Sequence, residues 1–105
     1  MQSIENLTHL RGQILAHKPH PQREGYELLT LRIEETKPVP DKADLLSQHC
    51  GENLDVAVRR ELLQDAATTD GAYVELRAKM TPDGPLAEPH PEAGNFTLTA
   101  PPRPL

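Results

Sequence analysis

The sequence predicts a small, mainly β domain: five short strands forming a barrel, with one or two short helices between them. Three observations predict it. Five runs alternate apolar and polar residues at period two, the signature of a half-buried strand. The segments between them hold most of the 11 prolines and 6 glycines in the 105 residues, so breakers punctuate the runs. With no Trp, one Phe and two Tyr, the core must come from Leu, Val, Ile and Ala, which one lean domain of this length can supply.

The first strand falls at residues 10–17, with Leu10, Ile14 and Ala16 on one face; Gly12 on that face marks a bulge or bend. Residues 18–25 hold two prolines and a glycine and form a loop. Residues 26–35 make the clearest strand, with Leu29, Leu31 and Ile33 pointing one way and Leu28, Thr30, Arg32 and Glu34 the other. Pro38 and Pro40 end it. A short helix is expected over 41–51: Asp41 is its N-cap, Asp44 lies in the first turn, Gly51 takes the left-handed position after it, and Ala43, Leu46 and Cys50 form the buried stripe. Residues 54–59 alternate strictly, placing Leu54, Val56 and Val58 inward.

One or two helical turns follow over 60–67, and residues 68–71 form a turn. The fourth strand, 72–80, turns Val74, Leu76, Ala78 and Met80 inward and Tyr73, Glu75, Arg77 and Lys79 outward. Pro82-Asp83-Gly84-Pro85 is a strong turn, after which the chain reads as a long loop to Gly94. A last strand, 95–100, brings Phe96 and Leu98 inward. The domain thus covers 10–100, with a lead-in at 1–9 and a proline-rich, polyproline-like tail at 101–105.

The formal net charge is −5, from 16 acidic against 11 basic residues, which opposes indiscriminate attraction to polyanions or anionic membranes. A single cysteine excludes an internal disulfide. The opening Met-Gln-Ser-Ile-Glu-Asn has neither a basic nor an apolar leader region, and no run reaches membrane-spanning length. A soluble, cytoplasmic protein without membrane association is the expectation.

Five strands with a short helix between the third and fourth resemble the OB-fold, a partly open Greek-key barrel; an SH3-type barrel or an α+β sandwich fits the same element order. The resemblance implies a ligand face on strands two and three and on the loops joining strands one to two and four to five. The face then includes Lys18, His20 and Arg23 from the first loop, Arg32, Arg59, Tyr73, Arg77 and Lys79 from strands, and His90 from the second loop. Glu27, Glu34, Asp55 and Glu75 are interleaved with these. Only Tyr26 and Tyr73 are aromatic and outward, a poor platform for stacking bases.

Other chemistries find less support. His17 and His20 flank a proline, and the neighbours His49 and Cys50 project in different directions on a helix, so no zinc template is matched. Ser47 and His49 do not face each other, the adjacent Glu34 and Glu35 lie on opposite strand faces, and the glycines stand singly, without a phosphate loop. The expectation is therefore a non-catalytic binding or accessory module without cofactor or metal. Its partner is a protein or a second copy of the chain, with the outward Leu28, near Leu15 and Tyr26, seeding an apolar patch. Single-stranded nucleic-acid binding is the alternative, and metal binding a more distant one.

Overall fold

Each alternating run becomes a strand, and the strands close on themselves. The computed structural model describes residues 5–63 and 70–100. The elements are β1 (Thr8–Pro19), β2 (Tyr26–Pro38), β3 (Asn53–Arg59), β4 (Tyr73–Thr81), β5 (Gly84–Ala87) and β6 (Thr97–Thr99). The first three form an antiparallel meander. β1 turns its other edge to β4, and β4 pairs with β5, which meets β3 in parallel. The circuit β1-β2-β3-β5-β4-β1 is a closed five-stranded mixed barrel of OB-like type. β6 is an extra strand on the edge of β4, opposite Tyr73 to Glu75.

Helical structure among the described residues amounts to two 3₁₀ turns, Ser47–His49 and Arg60–Leu63. The helix expected over 41–51 does not form. Asp41 takes a left-handed φ of 66° and so cannot cap a helix there. Ala43 is held extended in a parallel bridge to Asn6, with Leu7 N–H donating to the Ala43 carbonyl at 3.0 Å. Of the expected stripe only Leu46 is buried; Ala43 is half-buried, and Cys50 is exposed, its thiol 3.6 Å from the Glu34 carbonyl. Gly51 does take the left-handed conformation, at φ 87°. The expected helix over 60–67 is a 3₁₀ turn as far as Leu63; the remainder, part of the turn at 68–71, the start of the lead-in and the tail at 101–105 lie outside the described residues.

The core is the barrel interior. Leu10, Ile14, Leu29, Leu31, Ile33, Val56, Val58, Val74, Leu76 and Ala78 line it as the period-two pattern requires, and Leu46 and Leu63, from outside the strands, join the same buried cluster. Ala16 is an exception: a register shift between Ile14 and Ala16 makes Leu15 the bulged residue and leaves Ala16 exposed. Gly12 stands at a second shift, where a Cβ would lie 2.7 Å from the Arg32 carbonyl oxygen. Two further departures concern segments read as loops: β1 runs on through Lys18 and Pro19, so Lys18 stands on a strand and not in the first loop, and Gly84–Ala87 is the strand β5 of the barrel wall.

One polar link ties the loop after β2 to the barrel. Thr8 is fully buried, and its hydroxyl donates to Asp44 Oδ1 at 2.8 Å. The same oxygen accepts from the amides of Ser47 and Leu46 at 3.0 and 3.3 Å, and the Ser47 hydroxyl donates to the other carboxylate oxygen. The Ser47 hydroxyl foremost, with Thr8 and the two amides, holds the Asp44 carboxyl below the usual aspartate range, although desolvation opposes the shift. Asp44→Ala leaves a buried hydroxyl without its partner and is expected to cost about 1–3 kcal/mol in urea unfolding. Because the folded-state pKa is depressed, this stabilisation is present above the unfolded pKa of about 3.9 and is lost as pH falls through the folded value. The urea midpoint of the wild type should therefore fall more steeply below about pH 4 than that of Asp44→Asn.

Candidate binding groove

Register decides which outward residues meet. On β2 the buried Leu29, Leu31 and Ile33 leave Leu28, Thr30 and Arg32 outward, and on β3 the inward Val56 and Val58 leave Asp55 exposed and Ala57 on the outer side but only 5% exposed. Leu28 sits opposite Ala57, and Thr30 opposite Asp55, with the Thr30 hydroxyl donating to Asp55 Oδ1 at 2.7 Å. Ala57 in turn lies beside Leu86 of β5. Leu28, Ala57 and Leu86 thus form an apolar row across three strands.

The row is the floor of a groove of about 350 Å³, walled by His20 and Arg23 on one side and by the β4–β5 hairpin, with Asp83 and Pro85, on the other. These walls are the loops that flank the ligand face of an OB-like barrel. The first loop is shaped from within: the His20 amide donates to the Tyr26 carbonyl at 2.9 Å, the Gln22 amide donates to His20 Nδ1 at 3.1 Å, and Arg23 stacks over the Tyr26 ring, 5.2 Å from its centroid. Leu28 is half-buried and lines the groove with Ala57 and Leu86, whereas the neighbours expected for it stand elsewhere: Leu15 is the bulged residue of β1, and Tyr26 lies under Arg23.

A second cavity of about 800 Å³ lies beyond Leu86, which lines both; its wall includes Arg77, Lys79, Met80, Glu88 and the segment at 5–7. Arg77 Nη2 donates to Glu88 Oε2 at 3.2 Å. Its Nε is 3.1 Å from Oε1 but badly aligned, so this second contact is electrostatic and not a hydrogen bond. Asn6 grips β4 from the same side, accepting from the Met80 amide at 2.7 Å and donating to the Met80 carbonyl at 3.2 Å.

The nine residues expected on one face are divided among several surfaces. His20 and Arg23 line the groove, Lys18 is exposed opposite Leu28, and Arg77 and Lys79 line the second cavity. Arg59 lines a third depression with Arg60 and Glu61 and is 3.2 Å from the Glu61 carboxylate. Arg32 is exposed further along β2, opposite Asn53; His90 is exposed between β5 and β6. Tyr73 is covered by Arg11, 5.1 Å from the ring centroid. Ala57 and Leu86 escape sequence reasoning, because Ala57 alternates as an ordinary outward alanine and Leu86 lies in the short strand read as loop.

Among the described residues no group of three or more His, Cys, Asp or Glu side chains is arranged to hold a metal ion, and no helix is long and apolar enough to cross a membrane. Comparison with known families, with curated proteins and with solved structures finds no match.

Proposed function

We propose that this barrel is a non-catalytic module that binds a protein partner, taking an extended segment of it into the groove between the first loop and the β4–β5 hairpin. The observation that carries this reading is the floor of the groove: Leu28, Ala57 and Leu86 occupy the position where a single-strand binder needs aromatic rings. Both outward tyrosines already carry an arginine over the ring, and five of the basic residues are engaged with carboxylates, namely Arg11, Lys42, Arg59, Arg60 and Arg77. Apolar side chains seated in a small pocket with a polar rim are the usual anchors of protein recognition.

A second copy of the chain is one possible partner, but strand-to-strand addition has little to build on. Beyond Ile14 the free side of β1 ends in Lys18 and Pro19, and β2 ends in Lys37 and Pro38, residue types that block edge pairing. The groove is the better surface. Panning a random peptide library against the protein should enrich peptides with an apolar anchor, and Leu28→Asp, at a half-exposed site, should weaken them at least tenfold while the fold persists by circular dichroism. Enrichment of nothing, together with oligo(dT) binding that falls steeply with salt and withstands Leu28→Asp, would sink the proposal in favour of single-stranded nucleic acid.

A further inference from the structure

The apolar row does not end at Leu28 and Leu86. Lys18 of β1 is the register partner of Leu28, and Lys79 of β4 is the register partner of Leu86. Read across the barrel wall, one row therefore runs Lys18, Leu28, Ala57, Leu86, Lys79 over all five strands. Both lysines are exposed, and neither is among the basic residues held by carboxylates within the described residues. Arg23 on the groove wall is likewise outside those ion pairs and rests on Tyr26. Of the two groove aspartates, Asp55 lies off the row, where it accepts from Thr30, and Asp83 is in the hairpin tip.

We infer that the groove's occupant is an extended peptide whose apolar centre is flanked on both sides by carboxylates, lying across the strands with one acidic end at Lys18 and the other at Lys79. The inference rests on the protein-binding reading and names the chemistry of the partner. Four inter-strand steps of about 4.8 Å put the two lysines about 19 Å apart measured along the curved wall, which an extended chain that follows the curve covers in about six residues at ~3.3 Å each. The partner motif is thus two acidic positions five to six residues apart with two or three apolar residues between them. Cations at the ends of an apolar strip select such a segment over a basic one and speed its arrival, in a protein whose net charge of −5 otherwise repels acidic partners.

The test measures fluorescence anisotropy of three labelled probes on the full chain: Glu-Glu-Leu-Ala-Leu-Glu-Glu, the same peptide with lysines in place of the glutamates, and oligo(dT). The acidic peptide should bind tightest. The Lys18→Glu/Lys79→Glu double variant should weaken it about tenfold, as two exposed pairs become repulsive, and should reverse the preference towards the lysine-flanked peptide. Arg32→Glu, on the same sheet but off the row, should leave the order unchanged. Equal binding of both peptides, with retained sensitivity to Leu28→Asp, would overturn the acidic-partner inference and leave the protein-binding reading standing. Binding of neither peptide, or of the oligonucleotide alone, would overturn both.

Discussion

Gly12→Val is expected to unfold the protein or to lower its melting temperature by more than any single truncation in the core. Gly12 is buried on the inward face of β1, between Leu10 and Ile14, at a shift in the β1–β2 register. A Cβ there would stand 2.7 Å from the Arg32 carbonyl oxygen and 3.3 Å from its carbon. The obstacle is backbone, so no side chain can rotate out of the way, and two paired strands would have to part. Even Gly12→Ala should cost about 3 kcal/mol, at the upper end for overpacking and well above the ~0.4–1 kcal/mol gained by restricting the unfolded chain. That is roughly 10–20 °C in melting temperature for a domain of this size. The branched methyls of valine add further clashes on both sides. Calorimetry of Gly12→Ala decides the matter: a melting temperature within two or three degrees of wild type would mean that the close approach does not exist.

Leu31→Ala is expected to cost about 3–5 kcal/mol. Leu31 is fully buried at the centre of β2, opposite Ile14 of β1 and Leu54 of β3. Removing its isobutyl group forfeits the transfer free energy of the lost atoms and opens a cavity in the middle of the barrel. The strands around it are tied by hydrogen bonds into a closed wall, so the cavity cannot collapse as one between two helices can. For a lean core with a total stability of about 5–10 kcal/mol, this is a large fraction. The contrast lies with Leu86→Ala on the outer face: Leu86 is half-exposed, and its truncation should cost about 1 kcal/mol or less while weakening groove binding. Urea unfolding of the two variants should separate a core leucine from a floor leucine, and comparable losses would contradict the assignment of their faces.

The strands whose alternation is uninterrupted were legible from residue types alone. Leu29, Leu31 and Ile33, or Val74, Leu76 and Ala78, have one apolar face, and a one-residue slip would expose the whole set. What escaped was set by contacts between distant segments. The stretch around Ala43 has a helical pattern, but its backbone pairs with Asn6 and Leu7, and a residue held in a bridge cannot also make helical hydrogen bonds. Cys50 lost its place in the core with that helix. Gly84–Ala87 is four residues long and contains proline, so it carries almost no periodic signal; it becomes a strand because β4 and β3 stand on either side of it. Leu28 could be recognised as an outward leucine, whereas the row it belongs to depends on the registers of four strand pairs. Arg32 and Lys79 are exposed and Arg59 and Arg77 half-buried on their strands, yet a barrel wall curves, and outward does not mean together.

The bond between β3 and β5 reaches beyond architecture. The wall is stitched along the full length of β3 on its β2 side, from Tyr26 to Arg32, but its β5 side is joined in parallel at the single pair Ala57 and Leu86. A wall with one weak seam breathes there first, so the earliest amide protons to exchange from the barrel should be those beside this pair. The same two residues floor the groove. A segment lying from Lys18 to Lys79 would span the seam like a clasp, and the free energy of seating it would appear as slowed exchange on both margins. If the groove takes the proposed segment, its occupancy and the closure of the barrel are linked equilibria.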